Sequence, residues 1–358
     1  MEARASGTVS RTVRHLAFGA APGSASREVD RYLETAASST LYHRPAWVSV
    51  VEESFGHKTF YLACGDGDGA VRGVLPLVHM KSRIFGNFLV SMPFFNYGGV
   101  CAEDEDGRSR LVEEAVRIAR DAGASHIEFR QEAPLPNGFP AKTTKVSMRL
   151  PLPASAEELM RSFPSKLRSQ IRRPGKEGMT ARVGGVEDLD AFYEVFAVNM
   201  RRLGTPVLPR RFFAAIFRHF PDETRICSVY RGGVPVASGF LIGFKERLEI
   251  PWASSLSEYN RYSPNMLLYW TCLEFACDRG YRVYDFGRST AGEMTYRFKE
   301  QWGAEPLQLH WHYWLDEGRS MPDLSPGNPK YRLAIAVWKR LPLAATKILG
   351  PRVVRNIP

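Results

Sequence analysis

The sequence predicts an α+β fold built as two like domains, and three observations carry that expectation. Residues 59–131 run strand, Gly-rich turn, two strands, loop, helix, glycine, strand, and residues 224–289 pass through the same order. The two passes close alike, with Gly123-Ala-Ser-His-Ile-Glu128-Phe129 matched by Gly280-Tyr-Arg-Val-Tyr-Asp285-Phe286. A repeat of this length is a whole domain rather than a solenoid unit of about 20–50 residues. The chain has 358 residues, which suits two domains on the usual length prior. Strands that pair as a meander and then receive a helix and a further strand give layers of helix on mixed sheet. Two such domains make a cleft, and small-molecule sites favour domain interfaces.

The elements follow in order. Residues 1–25 are small, polar and Arg-dotted, and read as a loose arm. Residues 26–38 form a short helix, and Tyr42-His43-Arg44-Pro45-Ala46-Trp47 starts a second with Pro near its first turn. Thr59–Cys64 is a strand, and the glycines of Gly65–Gly69 form a turn without a side-chain penalty for positive φ. Strands at Val71–Met80 and Phe85–Ser91 lead into Phe94-Phe95-Asn96-Tyr97-Gly98-Gly99. That loop reads either as core filling or as backbone that approaches a ligand. Leu111, Ala115, Ile118 and Ala122 share one helix face, and His126–Gln131 is the closing strand.

A Pro-rich join, Pro134–Pro153, contains a further strand at Lys145–Leu150, and the domain boundary falls at its end. The domains are then 26–150 and 151–316, followed by a basic helical tail at 317–358. Ser155-Ala-Glu-Glu158 is a capping box before Leu159–Phe163. Leu189, Phe192, Phe196, Met200 and Leu203 make the stripe of a helix that Gly204 stops. Pro209–Phe220 is another helix. Thr224–Tyr230 and Val234–Phe244 form a hairpin around Arg231-Gly-Gly233, and Arg247–Ser254 follows as a strand. Pro264–Arg279 is a helix capped by Gly280, Val283–Phe286 a strand, and Leu307–Leu315 a final strand.

Composition narrows the function classes. At 44% hydrophobic and 24% charged, the chain has enough apolar residues for two cores, which excludes disorder as its main state. A net charge of +10 and a pI near 9.4 favour anionic partners. Five cysteines without C-x-x-C spacing argue against both a disulfide framework and a zinc site. No stretch has the apolar core of a signal peptide or the roughly 18 apolar residues of a span, so the expected place is the cytoplasm. The basic residues lie on one short helix and a tail, with no motif that reads DNA.

Two stretches can carry chemistry. In Ser165–Lys176, Leu167 and Ile171 share a face at i,i+4 and dock the helix, which leaves Lys166, Arg168, Arg172 and Arg173 on its flanks. Anchored cations of this kind suit phosphate, and the bland alternative is a solvated basic face. The second stretch is Tyr284-Asp285-Phe286-Gly287-Arg288, followed by Phe298-Lys299-Glu300-Gln301-Trp302-Gly303. An acid at a strand's C-terminal end, with Gly and Arg after it, lies where open sheets contact ligands; the alternative is an internal Asp285–Arg288 ion pair. Lys299 sits between two aromatics that would partly desolvate it and fix its position; the alternative is an exposed lysine. Pro264 and Asn265 open a helix whose free N–H groups suit an anion, and Tyr262 stands just before them. His310 and His312 alternate with Trp311 and read as packing rather than as a two-His metal site.

Together these stretches resemble the Fem family, the aminoacyltransferases that build peptidoglycan cross-bridges. Ser165-x-x-Arg168-x-x-Ile171-Arg172 with Lys176-x-Gly178, and Phe298-Lys299-x-x-Trp302-Gly303, carry the resemblance. Leu203-Gly-Thr-Pro206 and the ending with Leu341-Pro-Leu-Ala and Leu349-Gly-Pro are similar to Fem-like proteins that accompany PEP-CTERM/exosortase exopolysaccharide systems. The resemblance implies two tandem GNAT-like domains, of the acyl-CoA N-acyltransferase fold. It implies transfer of an acyl or aminoacyl group to an amine of a cell-envelope or exopolysaccharide precursor. No tightly bound cofactor is implied, and the donor is acyl-CoA or aminoacyl-tRNA. Lys299 would stabilise the donor or the developing charge. The candidates for taking the amine's proton are Asp285, Glu249, Tyr262 and water, and Asp285 ranks first on its location at the strand end. Lys166, Arg168, Arg172 and Arg288 would meet an anionic acceptor, alongside Asn96, Tyr97, Tyr262 and Asn265.

The chain departs from the pattern in two ways. It has no coiled-coil arm of the kind found in many tRNA-using members. The segment Leu256–Asn265 also lacks the glycines that cradle a CoA pyrophosphate. A non-catalytic protein that binds a nucleotide- or lipid-linked glycan is the alternative. From Leu324 to Pro358 there are seven basic residues and no acid. With Tyr331, Ile335, Trp338 and Leu341 at helical spacing, that tail reads either as a basic amphipathic segment for the inner-membrane surface or as a helix packed on the first domain.

Overall fold

The structure, a computed structural model, describes residues 11–18, 23–66, 70–136, 138–322 and 329–358. The chain divides into two compact units, one of Met1–Lys142 with His310–Met321 and one of Thr143–Leu309 with Pro322–Pro358. Most of the proposed arm (1–10 and 19–22) and the turn residues 67–69 lie outside the described residues.

The first unit begins with β1 (Thr12–Leu16), α1 (Ser24–Thr35), α2 (Ala46–Phe55), β2 (Lys58–Gly65), β3 (Val71–Ser82) and β4 (Gly86–Val90). It continues with β5 (Cys101–Ala102), α3 (Glu105–Asp121), β6 (His126–Gln131) and β7 (Ala141–Lys142). The strand β1 corrects the expectation of a loose arm, since Thr12 to Leu16 pair antiparallel with Gly65 to Tyr61. An edge strand this short and charged lacks the alternation that would mark it in sequence. Helix α3 starts where Asp104 accepts the Gly107 N–H at 2.8 Å, and it buries Leu111, Ala115 and Ile118.

The second unit holds β8 (Val146–Pro151), α4 (Ala156–Ser162), α5 (Ser165–Lys176), β9 (Met179–Gly184), α6 (Leu189–Leu203) and α7 (Arg210–His219). Then follow β10 (Thr224–Arg231), β11 (Val234–Phe244), β12 (Arg247–Ser255), α8 (Pro264–Asp278), β13 (Val283–Ser289), α9 (Met294–Glu300) and β14 (Glu305–Gln308). The chain passes next through β15 (His310–Leu315), α10 (Pro329–Arg340) and α11 (Leu343–Val354).

The two sheets have the same plan. One runs β1-β2-β3-β4-β6-β15-β7, and the other β9-β10-β11-β12-β13-β8-β14. In each, a helix (α3 or α8) crosses over to place the fifth strand parallel to the fourth, while the other pairings are antiparallel. Both sheets are mixed and flanked by helices, as the α+β expectation requires. The sixth strand of each comes from outside its own repeat: β8 precedes the second repeat, and β15 follows it.

Three expectations change here. The strand Lys145–Leu150, drawn with the first domain, is β8 of the second sheet. The single strand Leu307–Leu315 is two strands that part at Leu309, β14 joining the second sheet and β15 the first. The boundaries at 150 and 316 therefore move to Lys142/Thr143 and Leu309/His310. Alternation says that a strand has one buried face; it does not say which sheet receives it.

The third change concerns the tail. Helices α10 and α11 belong to the second unit and pack on α6. The side chain of Tyr331 lies outside the described residues. Thr346, Gly350 and Val354 are buried at i,i+4,i+8, and Arg201 Nε donates to the Leu341 carbonyl at 2.5 Å. Helix α6 buries Leu189, Phe192 and Phe196 from the expected stripe, while Leu203 is exposed. Gly204 ends α6 at φ +80°, and a Cβ there would meet Ile335 Cγ2 at 2.6 Å. Gly204→Ala is therefore expected to cost about 1–2 kcal/mol in backbone strain, plus the displacement of α10. Urea unfolding of the two proteins checks it.

Candidate active site

The site forms where the second sheet opens. Strands β12 and β13 pair at Arg247↔Val283, Leu248↔Tyr284 and Glu249↔Asp285. Beyond that point β12 stays with β11 as far as Ser255↔Ala237, and β13 stays with β8 as far as Ser289↔Val146. The two parallel strands thus fork toward their C-terminal ends. Both turn away through a local irregularity. Pro251 has no N–H for a ladder, and the β11–β12 register shifts at Phe240/Ile242. On β13, Gly287 takes φ +75° and the register with β8 shifts between Asp285 and Arg288, as at a bulge. Open sheets bind ligands outside the carboxyl ends of such strands.

Lys299 of α9 reaches the β13 arm of this fork. Its Nζ donates to the carbonyls of Gly287 and Arg288, each at 2.9 Å, and the residue is 7% exposed. The aromatics that flank it in sequence pack as expected. Trp302 is buried and meets Phe163 at 5.7 Å, and Phe298 meets Tyr269 at 5.1 Å between ring centroids. Burial pushes the ammonium pKa down from 10.5 to about 8, opposed by the charges of Asp285 and Glu249 and assisted by Arg288.

Asp285 lies at the vertex of the fork and is wholly buried. It accepts from Ser147 Oγ at 2.6 Å, Arg149 Nε at 3.0 Å and the Gly287 N–H at 2.8 Å. The internal ion pair weighed for Asp285 exists, and Arg149 on β8 is a partner in it at 3.0 Å. Arg288 is exposed and contributes its carbonyl to Lys299. The sequence alone does not mark Ser147 and Arg149, because nothing local in β8 says which sheet it joins. Their i,i+2 spacing does put both on one strand face. Glu249, buried on β12, stands opposite Asp285.

A second group of cations gathers near the start of α8. Arg231 lies 3.7 Å from the centroid of the Tyr262 ring and Arg261 4.6 Å from it. Hydrogen bonding from Arg231 and the positive charge nearby hold the Tyr262 phenol below its ordinary pKa. Ser263 starts α8 at φ +60° without a side-chain cap, and Asn265 is half-buried in the first turn. The basic helix α5 docks through Leu167, Ile171 and Pro174, as its spacing predicts. Of its cations, Arg173 is the one that hydrogen-bonds this loop, donating to the Arg261 carbonyl at 2.9 Å. Lys166 and Arg172 are exposed, and half-buried Arg168 leans on the Arg161 carbonyl at 3.4 Å. Arg231 is thus an addition that the linear sequence did not single out, and Arg173 is the flank cation that the structure brings to this loop.

The equivalent place in the first unit is filled. β4 and β6 pair at Leu89↔Ile127 and Val90↔Glu128. Above them Ser91 Oγ accepts the Arg130 N–H at 2.8 Å, and the Arg130 guanidinium donates to the Phe95 carbonyl at 2.6 Å. Glu128 is buried, which raises its carboxyl pKa, but Arg130 and the Tyr313 hydroxyl more than reverse this and hold it low. Tyr97, expected at a ligand, is 2% exposed and packs against Tyr42 in an aromatic core. Asn96 spends its carbonyl on Trp311 Nε1 at 3.0 Å. The core reading of this loop is therefore correct for Tyr97. His312 accepts from the Leu135 N–H at 3.0 Å and lies 3.4 Å from the Phe139 carbonyl, so the structure uses it as a packing residue. Among the described residues no three His, Cys, Asp or Glu side chains are placed to hold a metal.

Comparison with known proteins places this chain among similar folds. Residues 161–300 match the family described as acetyltransferase (GNAT) domain, so the fork, Lys299 and the basic helix all fall inside it. The UDP-N-acetylmuramoylpentapeptide-lysine N(6)-alanyltransferase of Weissella viridescens is 25% identical over 142 residues. That match covers 38% of this chain and 42% of the relative, less than half of its length. Among solved structures, FemX aligns with a TM-score of 0.64 at 15% identity, over 84% of this chain and 96% of that one. A tandem GNAT protein from the clavulanic acid biosynthesis pathway aligns with a TM-score of 0.51 at 13% identity, over 87% and 100%. The chain therefore carries a GNAT-type domain and has the mixed α+β fold of these proteins.

Proposed function

We propose that this chain is a Fem-like acyltransferase with two GNAT-like domains, of which the second is the working one. It transfers an acyl or aminoacyl group to an amine of a cell-envelope or exopolysaccharide precursor. The observation that carries this reading is the buried ammonium of Lys299, tied by two of its three N–H groups to the β13 backbone beside an open fork. The similarity to an alanyltransferase named for a UDP-linked muramoylpentapeptide substrate supports a nucleotide- or lipid-linked, anionic acceptor.

The chemistry asks little of the protein. The acceptor amine attacks the acyl carbonyl carbon and forms the C–N bond. The carbonyl oxygen takes on negative charge, the bond to the donor's oxygen or sulfur breaks, and the amine loses a proton. The third N–H of Lys299 supplies charge to the developing oxyanion or the leaving group, in a desolvated place where such a donor acts strongly. Asp285 holds the strand end rather than taking the proton, because its buried oxygens already accept three donors. Glu249 or solvent takes that part. The cations Arg173, Arg231 and Arg261, with Tyr262 and the first turn of α8, bind donor phosphate in place of the missing glycine loop. Both candidate donors are made in the cytoplasm, and the reading carries that location with it.

Transfer assays test this. The full chain is incubated with radiolabelled acyl-CoA or aminoacyl-tRNA and an amine-bearing, nucleotide-linked amino sugar. Covalent label in the sugar product is the expected result. Tight binding of the sugar with no turnover from either donor would support the non-catalytic alternative instead.

A further inference from the structure

The pair α10–α11 presents a surface that the reaction does not use. Inward, Ile335 and Trp338 of α10 are half-buried, and Thr346, Gly350 and Val354 of α11 are buried. Outward, Leu333 and Val337 stand at i,i+4 with 76% and 52% exposure, and Ile348 and Leu349 of α11 have 63% and 43%. Arg340 continues the Leu333–Val337 face one turn on, with Arg332 and Lys339 exposed on its flank, and Arg352 is exposed beside Ile348. Residues 324–358 contain seven basic side chains and no acidic one.

We propose that this helical pair docks the protein on a bilayer rich in anionic phospholipid. Three observations select that occupant. Exposed leucine, valine and isoleucine gain nothing from a nucleic-acid backbone but insert readily below lipid headgroups. A two-fold contact with a second copy would set the exposed cations of these helices, whose own residues include no acid, against themselves. Each helix has 12 residues, too short to cross a bilayer, which needs about 20, so the pair lies in the interface plane. The inner faces stay on α6, so docking needs no unfolding of the second unit.

The experiment is flotation of the full chain with phosphatidylcholine vesicles, with and without phosphatidylglycerol, at low and high salt. Binding is expected only with phosphatidylglycerol, and salt should weaken it. Leu333→Glu with Val337→Glu should reduce binding by about tenfold or more. Each of Arg332→Glu and Arg340→Glu should reduce it about fivefold. These positions are exposed, so the fold tolerates the changes. Failure of the wild-type chain to float would overturn the proposal. So would equal binding to neutral vesicles, or variants that bind like wild type. A dimer in ultracentrifugation that the Leu333/Val337 variant makes monomeric would assign the patch to a second copy instead.

Discussion

Lys299→Ala is expected to lower kcat about a hundred- to a thousandfold with little change in KM for the acceptor, as loss of one oxyanion donor does in a buried site. Steady-state transfer kinetics on the purified variant read this, and wild-type kcat would remove Lys299 from the mechanism. The same residue makes a pH prediction. If the ammonium is the active form, kcat falls as pH rises through about 8, where burial has moved the group. Lys299→Arg, whose charge persists above pH 12, should lose that descending limb even if its rate is lower throughout.

Stability should move the other way. Below pH 8 the folded chain carries a buried charge that the unfolded chain hydrates. The drop from 10.5 to about 8 corresponds to a cost of about 3 kcal/mol. Between these two values the unfolded chain still binds the proton that the folded chain has released, so stability rises with pH. Above 10.5 the cost has gone. Lys299→Met should therefore be more stable than wild type at pH 7, by about 1–3 kcal/mol, and should lack the rise above pH 8. Urea unfolding at pH 7 and pH 10 measures both. A gain in stability with a loss of activity is what a residue kept for chemistry should give.

Asp285→Ala is expected to have the largest structural effect. It removes the buried carboxylate to which Ser147, Arg149 and the Gly287 N–H donate. Breaking a buried ion pair from one side costs about 3–5 kcal/mol. Removing both partners costs far less, so Asp285→Leu with Arg149→Met should recover most of the lost stability. It should not recover activity, because the bulge at Gly287 that presents two carbonyls to Lys299 would no longer be tied. Unfolding and transfer rates on the single and double variants decide this. An Asp285→Ala protein as stable as wild type would mean that the pair does not hold the strand end.

Much of this was legible beforehand, for local reasons. The anchored face of α5, the stripe of α6, the cap at Gly204 and the aromatic seat of Lys299 all depend on neighbours within about one or two helical turns. Side-chain spacing reports such neighbours directly. The partner of Asp285 is not legible, because Arg149 lies on a strand whose sheet only tertiary pairing decides. Arg173 was one cation among several on α5, and only its hydrogen bond to Arg261 distinguishes it. Tyr97 looked like a ligand contact because Gly98 and Gly99 follow it. The core claimed it through Tyr42, which precedes it in the chain by 55 residues.

The repeat, the order of elements and the residue types needed for acyl transfer are properties of the sequence alone. Composition and periodicity fix which face of each element avoids water. Only the tertiary structure decided that β8 and β15 serve the sheets they join, that the second fork is open and the first is filled by Arg130, and that Asp285 is an anchor. Those outcomes depend on strand register and on side chains far apart in sequence. Pairing is chosen by the sum of many non-local contacts, and no short stretch of the chain contains that sum.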